Sequence, residues 1–312
     1  MNCMRLAPTL LTLTALALNA ACRPVRVSSQ TSSEEARSFA SSSADSSVQT
    51  PLPITCPSSA PLAIVGGQKS EAEQLAARAS VKIWIKSQRF CTGTLLGPHH
   101  IVTAAHCLRD EARIEDIRLG FGVEGTVSET VQVTGFQMHP RFVGIPSQTR
   151  ATPQAALYDV AVLSFIGTLP ASAQAVALAK PEYLSPGLSV LSVGYGAYAS
   201  DDKQRRPLSQ VELKLDEVFP DQRELQLERG AGKGACFGDS GGPTYLVGEG
   251  GSCLLLIGST TGPGRRTAGT CESGGGTLMD LTRYQGWMRC AFESLGTPLE
   301  SLITDASLEQ CR

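Results

Sequence analysis

Gly238-Asp239-Ser240-Gly241-Gly242-Pro243 is the stretch on which the reading of this chain turns. Three others precede it in order. Thr103-Ala104-Ala105-His106-Cys107 closes the apolar run that starts at Ile101. Tyr158-Asp159-Val160-Ala161-Val162-Leu163 puts an acid at the mouth of an apolar strand. Ile64-Val65-Gly66-Gly67 stands where a polar leader ends. Taken singly, each has a bland reading: a structural histidine, a strand-capping aspartate, a serine in a turn. Taken together they supply a hydroxyl, a base and an orienting acid. A serine hydroxyl is a weak nucleophile at neutral pH and needs an adjacent base. Imidazole can serve, because it titrates near neutrality.

Outward from these motifs, from about Ile64, short apolar runs alternate with glycine, proline and polar turns. Val81, Ile83 and Ile85 alternate with polar residues. Further strands are expected at Cys91 to Leu96, Ile101 to Thr103, Ile117 to Phe121 and Val131 to Thr134. Others follow at Val160 to Phe165, Leu188 to Val193 and Leu254 to Ser259. Many short strands at this spacing point to barrels or a sandwich. Near the end the period changes. Tyr284, Trp287, Met288, Ala291, Phe292 and Leu295 recur at helical spacing, which predicts an amphipathic helix from about Leu281 to Leu295. Its stripe is read as core packing. His99, His100 and His139 are read as structural.

The four motifs, in their order and spacing along the chain from Ile64 to Pro243, resemble the chymotrypsin/trypsin-like serine protease family. The resemblance runs from about Ile64 to Leu295. Cys91-Thr92-Gly93-Thr94-Leu95-Leu96, His139-Pro140 and Gly194-Tyr195-Gly196 agree with it. It implies an all-β fold of two antiparallel six-stranded β-barrels with a C-terminal helix. The first barrel would span about 64–171, the second about 187–295, with Ser172 to Pro186 connecting them. It implies His106, Asp159 and Ser240 as catalytic residues, with the amides of Gly238 and Ser240 as the oxyanion hole. It implies that cleavage between Ala63 and Ile64 frees an α-amino group that pairs with Asp239. It implies disulfides Cys91–Cys107 and Cys236–Cys271. No metal or cofactor is called for, and protein or peptide substrates would meet a monomeric chain. A non-catalytic binding protein on the same fold is the reading from another class.

Three departures from the family pattern bear on specificity. Ala63, not Arg or Lys, precedes Ile64. Gly234, beside Ala235, stands where trypsin-like members carry an Asp. Ser259-Thr260-Thr261-Gly262 replaces Ser-Trp-Gly, and Gly276 falls at the opposite pocket wall. With Gly234-Ala235-Cys236-Phe237 closest to elastase-like members, cleavage after small or medium apolar residues is expected. A pocket walled by glycines also admits Phe or Tyr.

The leader reads separately. Leu6 to Leu18 is an apolar run too short to span a bilayer comfortably, followed by Ala20, Ala21 and Cys22. Residues 1–22 are read as an export signal. Two outcomes fit Cys22: lipidation, tethering the chain to a bacterial membrane, or ordinary signal cleavage. Residues 23–63 are Ser-rich and poor in large apolar side chains, which makes a linker or propeptide ahead of a peptidase domain at 64–312. Apart from Cys3 and Cys22, the cysteines are Cys56, Cys91, Cys107, Cys236, Cys253, Cys271, Cys290 and Cys311. An even set in an exported chain reads as disulfides, and no Cys-x-x-Cys favours zinc. Cys56, Cys253, Cys290 and Cys311 allow three pairings, one of them Cys56–Cys253 with Cys290–Cys311. The 27 Lys and Arg against 29 Asp and Glu give no electrostatic reason for a nucleic-acid partner. Glu124 and Glu129 lie where some family members hold calcium, and are read as surface carboxylates.

Overall fold

Alternate side chains of an extended chain point to opposite faces, so a strand's pattern tells what each face meets. The computed structural model describes residues 67–86, 89–109, 112–144, 158–199, 206–229, 232–248, 253–262, 271 and 274–299. Residues 1–66, with Cys22, Cys56, Ala63 and Ile64, lie outside the described residues, as does Cys311. The chain opens with β1 (Gln68–Lys69), the short α1 (Leu75–Ala79), β2 (Ser80–Ile85), β3 (Arg89–Gly97) and β4 (His100–Thr103). β5 (Ile117–Phe121), β6 (Thr126–Val127), β7 (Val131–Met138) and β8 (Ala161–Gly167) follow. Then come β9 (Ala177–Leu178), β10 (Ser189–Gly194), β11 (Ser209–Phe219) and β12 (Glu224–Leu227). β13 (Pro243–Val247), β14 (Leu254–Gly262), β15 (Gly276–Asp280) and α2 (Gln285–Ser294) complete the order.

The strands form two antiparallel sheets in sequence. The first has the order β6-β5-β2-β3-β4-β8-β7 and curls until β7 runs beside β5. Among the described residues no ladder closes that seam. The second runs β11-β10-β13-β14-β15-β12, and β12 pairs back with β11 into a closed six-stranded ring. β1 extends it beyond β11, and β9 pairs in parallel with β14. The fold is the all-β pair of barrels with a C-terminal helix that the sequence implies, one ring closed by hydrogen bonds and the other curled around an open seam. The stretch between the sheets holds β9 and a 3-10 turn at Pro181–Tyr183.

Three apolar clusters explain the strand patterns. Val81, Ile83, Ile85, Leu119, Leu163 and Phe165 fill the first barrel. Val190, Leu213, Leu215, Leu225, Ile257 and Leu278 fill the second. A third cluster, with Val102, Val162, Tyr195, Leu256, Met288 and Phe292, fills the space between them. β8 and β14 read as continuous apolar runs because both their faces are buried. In β8, Leu163 enters the first core while Val162 enters the shared one. In β14, Ile257 enters the second core while Leu256 enters the shared one.

The expected C-terminal helix has two parts, a 3-10 turn at Leu281–Arg283 and then α2. Asp280 starts the turn, accepting from Thr282 N at 3.1 Å. Tyr284, Met288, Ala291 and Phe292 face the shared core. His100, a structural histidine, meets the Phe292 ring edge-on at 4.7 Å, and its Nε2 bonds Thr297 O at 2.8 Å. Its burial holds its pKa below the ordinary histidine value. Phe292 is fully buried. Phe292→Ala is expected to cost about 3–5 kcal/mol, from lost burial plus the cavity left behind. Urea unfolding of the two proteins measures it.

Candidate active site

Strand β4 ends at Thr103, and the chain passes through Ala104 into a 3-10 turn at Ala105–Cys107. Ala104 and Ala105 are fully buried, which leaves room only for small side chains there. The turn delivers His106 beside Asp159, which lies just before β8. His106 Nδ1 sits 2.7 Å from Asp159 Oδ2, and the His106 main-chain N–H donates to Oδ1, also at 2.7 Å. Both carboxylate oxygens are therefore committed to one residue. The Asp159 side chain is 0% exposed and the His106 side chain 16%. An ionised carboxylate only accepts, so Nδ1 carries the proton. The lone pair then sits on Nε2, the nitrogen that can take a proton.

Ser240 reaches this spot from the second sheet. Its carbonyl accepts from Thr92 N at 2.8 Å, on β3 of the first sheet. Cys107 Sγ lies 3.8 Å from that carbonyl oxygen and 4.0 Å from His106 Nε2, so the serine and the imidazole share a neighbour. Gly241 makes the approach possible. Its φ is +79°, and a side chain there would run into Thr103 Oγ1 and the Thr92 carbonyl. Among the described residues no hydrogen bond joins Ser240 Oγ to His106 Nε2. Such bonds often tighten only when substrate arrives.

The loop before Ser240 is held carbonyl by carbonyl. Phe237 O accepts from Ala197 N and Asp239 O from Gly242 N, both at 2.8 Å. Gly238 O accepts from Thr92 Oγ1 at 2.8 Å. Gly238 has φ +98°, open to glycine alone without strain. Asp239 turns inward and is buried. Its Oδ1 accepts from Gly196 N and its Oδ2 from Cys236 N, each at 2.8 Å. Side chains at Gly194 or Gly196 would strike this carboxylate. Burial pushes the Asp239 carboxyl up to about 7, against the pull of the two amides. Among the described residues no cationic side chain pairs with it. Ile64, the counter-charge implied by the sequence, lies outside the described residues.

The residues assigned to a specificity pocket converge only in part. A first side-chain carbon at Gly276 would lie 3.6 Å from Ala235 Cβ and 3.8 Å from Gly262 O. Gly234 instead pairs its backbone with Gly275, and Ala235 N donates to Gly275 O at 3.0 Å. The ladder slips between Thr260 and Gly262, so Thr261 is the extra residue of a bulge. Sequence reading missed Leu227, whose Cδ1 comes within 3.5 Å of the vacant position at Gly276. It also left Phe237 without a role, although this aromatic side chain is 62% exposed beside Gly238.

Cys91 is bonded to Cys107, and Cys236 to Cys271. Cys91, His106 and Cys107 bring three ligand-type atoms within 4.8 Å of one another, but both sulfurs are spent in the disulfide and are no thiolate ligands. Cys253 is also disulfide-bonded. Glu124 accepts from Lys69 Nζ at 2.9 Å on the surface. His139 stacks on Tyr158 at 4.8 Å. Burial, with Arg223 and Arg141 nearby, lowers its pKa to about 4.

Residues 64–288 match the protein family described as Trypsin. Over 256 residues the chain is 26% identical to Ovochymase-2 of Mus musculus, covering 72% of this chain and 40% of that protein. It is 29% identical to Hypodermin-B of Hypoderma lineatum over 206 residues, 60% of this chain and 73% of that protein. It is 29% identical to Brachyurin of Leptuca pugilator over 195 residues, 58% of this chain and 80% of that protein. The chain thus spans well under half the length of the first of these relatives.

Asp239 gives the site a measurable pH signature. Its folded pKa lies above the ordinary carboxylate value, so the folded state holds this proton where the unfolded chain has released it. Stability attributable to Asp239 therefore falls as pH rises from about 4 to about 7. The lowered pKa of His139 tilts the opposite way over much of that window, so a variant must isolate the effect. In the uncleaved chain, Asp239→Asn is expected to gain stability over wild type progressively as pH rises from 4 to 7. Urea midpoints across that range test this, and parallel curves would contradict it.

Proposed function

This chain belongs to the trypsin family of serine proteases, and on that premise we propose that it is a serine endopeptidase with His106, Asp159 and Ser240 as its catalytic residues. One observation carries this reading: both oxygens of buried Asp159 are held on His106, fixing the ring with Nε2 free. Ser240 Oγ attacks the scissile carbonyl carbon as its proton passes to Nε2. Asp159 stabilises the imidazolium that forms. The tetrahedral oxyanion accepts from the amides of Gly238 and Ser240, whose carbonyl neighbours are already tied down. The C–N bond then breaks, and the departing amine takes the proton from Nε2. Water, deprotonated by the same nitrogen, attacks the acyl-serine ester and releases the second product and free Ser240.

Activity begins when the Ala63–Ile64 bond is cut. The new α-amino group of Ile64 supplies the positive charge that buried Asp239 lacks among the described residues. The pair returns Asp239 to its ionised form and raises the amine above its ordinary value of about 7.7–8.0. Activity holds through neutrality and fades as alkaline pH removes that proton.

Ala235, Gly262 and Gly276, the proposed pocket residues, lie near one another, and none offers a negative charge to a Lys or Arg side chain. This supports cleavage after Ala, Val or Leu in protein or peptide substrates. The two disulfides support an oxidising, extracytoplasmic setting, reached through the signal at residues 1–22. Among the described residues no helix is long and apolar enough to cross a membrane, and lipidated Cys22 is the proposed tether.

The test uses the full chain with a site-specific protease sequence inserted ahead of Ile64, cut to free that residue. A mixed peptide library is read by mass spectrometry, with Ser240→Ala as control. Cleavage after Ala, Val or Leu, absent from the control, is the expected result. Cleavage after Phe or Tyr keeps the triad and corrects the pocket, while cleavage after Lys or Arg rejects it outright. A folded, cut chain that cleaves nothing favours the binding protein or a protease of very narrow specificity. Acetylating the Ile64 amine is expected to abolish activity, and retained activity would break the activation scheme.

A further inference from the structure

Thr92 sits inside β3, in the plain strand sequence Cys91-Thr92-Gly93, and its side chain does something its place in the ladder does not require. A trans peptide is planar, with its C=O and N–H pointing opposite ways. Whatever holds a carbonyl therefore aims the amide on the far side of the same plane. Ala197 N holds Phe237 O, which aims Gly238 N–H, and Gly242 N holds Asp239 O, which aims Ser240 N–H. Thr92 N holds Ser240 O. Three of four consecutive carbonyls are thus held by main-chain amides, which no substitution at the donor short of proline removes. The fourth, Gly238 O, lies between the two oxyanion donors and is held by a side chain, the Thr92 hydroxyl at 2.8 Å.

The geometry points to Thr92 as a positioning residue for the oxyanion amides, an inference that rests on the endopeptidase reading above. The hydroxyl accepts from Tyr195 N at 3.1 Å, so its one proton is committed to Gly238 O. Thr92 is fully buried, so bulk water does not replace the bond. Gly238, at φ +98°, is the pivot of the peptide between residues 238 and 239, whose N–H donates to Cys236 O at 3.1 Å, so loss of the Thr92 bond removes one of its two anchors. The same hydroxyl ties this peptide to the Gly194-Tyr195-Gly196 segment, whose Gly196 N holds the Asp239 carboxylate. Thr92 therefore couples the state of Asp239 to the aim of the two donors. It touches no reacting atom itself.

The experiment takes the full chain cut ahead of Ile64 and compares Thr92→Val, Thr92→Ala and Thr92→Ser with wild type and Ser240→Ala. Valine keeps the shape without the donor, and alanine is the fallback should valine misfold. Kinetics use a peptide anilide ending in alanine. A peptide aldehyde that forms a tetrahedral adduct reports the oxyanion hole separately, and urea midpoints report folding. Thr92→Val and Thr92→Ala are expected to lower kcat about tenfold, the weight of one buried hydrogen bond, with KM changed less than about twofold. Aldehyde affinity falls by the same factor, and Thr92→Ser restores both. Wild-type kcat in Thr92→Val and Thr92→Ala, a loss confined to KM, or a loss that Thr92→Ser does not recover each overturns the assignment while leaving the endopeptidase reading intact. A wild type with no Ser240-dependent cleavage overturns both.

Discussion

The main-chain contact between Ser240–Gly241 and strand β3 makes one site out of two sheets. Thr92 N donates to Ser240 O, and Gly241 fits where any side chain would strike Thr92 and Thr103. Each sheet has its own apolar core, so either could be filled without the other. This contact, with the shared cluster behind it, imposes the geometry of one barrel on the other. The serine's glycine neighbours thus serve a different end from flexibility. They let two backbones approach closely enough for Thr92 N to reach Ser240 O.

Two buried aspartates flank that contact and differ in what they hold. Asp159 spends both oxygens on His106, a residue that can become a cation, and lies beside a ring at the edge of solvent. Asp239 spends both of its oxygens on backbone amides and faces no cation among the described residues, so burial dominates and its pKa rises to about 7. One carboxylate is finished as folded. The other has no counter-charge among the described residues. That contrast supports the proposed division of labour between a resident triad and a switch set by chain cleavage.

Much of this was legible in the amino-acid order, and the parts that were not share a cause. Strands β8 and β14 stand out because both faces are buried, which leaves continuous apolar runs. β11 was overlooked, although Val211, Leu213 and Leu215 alternate cleanly within it. β12, also not anticipated, alternates polar and apolar residues, yet its Glu224 and Gln226 are buried. The Thr261 bulge leaves no compositional mark, since an extra residue shows only against its partner strand. Thr92 is the same case across a greater span. Its hydroxyl matters because Gly238, 146 residues away in sequence, comes to it.

The unequal closure of the two rings has a mechanical side. The second is bonded all the way round, so it can deform only by breaking ladder bonds, and the loop bearing Ser240 is anchored to it through Thr260. The first has a seam between β5 and β7, and a curled sheet with a seam can open or tighten like a cuff without losing a ladder bond. His106 follows β4 and Asp159 precedes β8, two of that cuff's staves. On the proposed reading, the imidazole half of the site is thus carried by the sheet with the seam and the serine half by the closed ring.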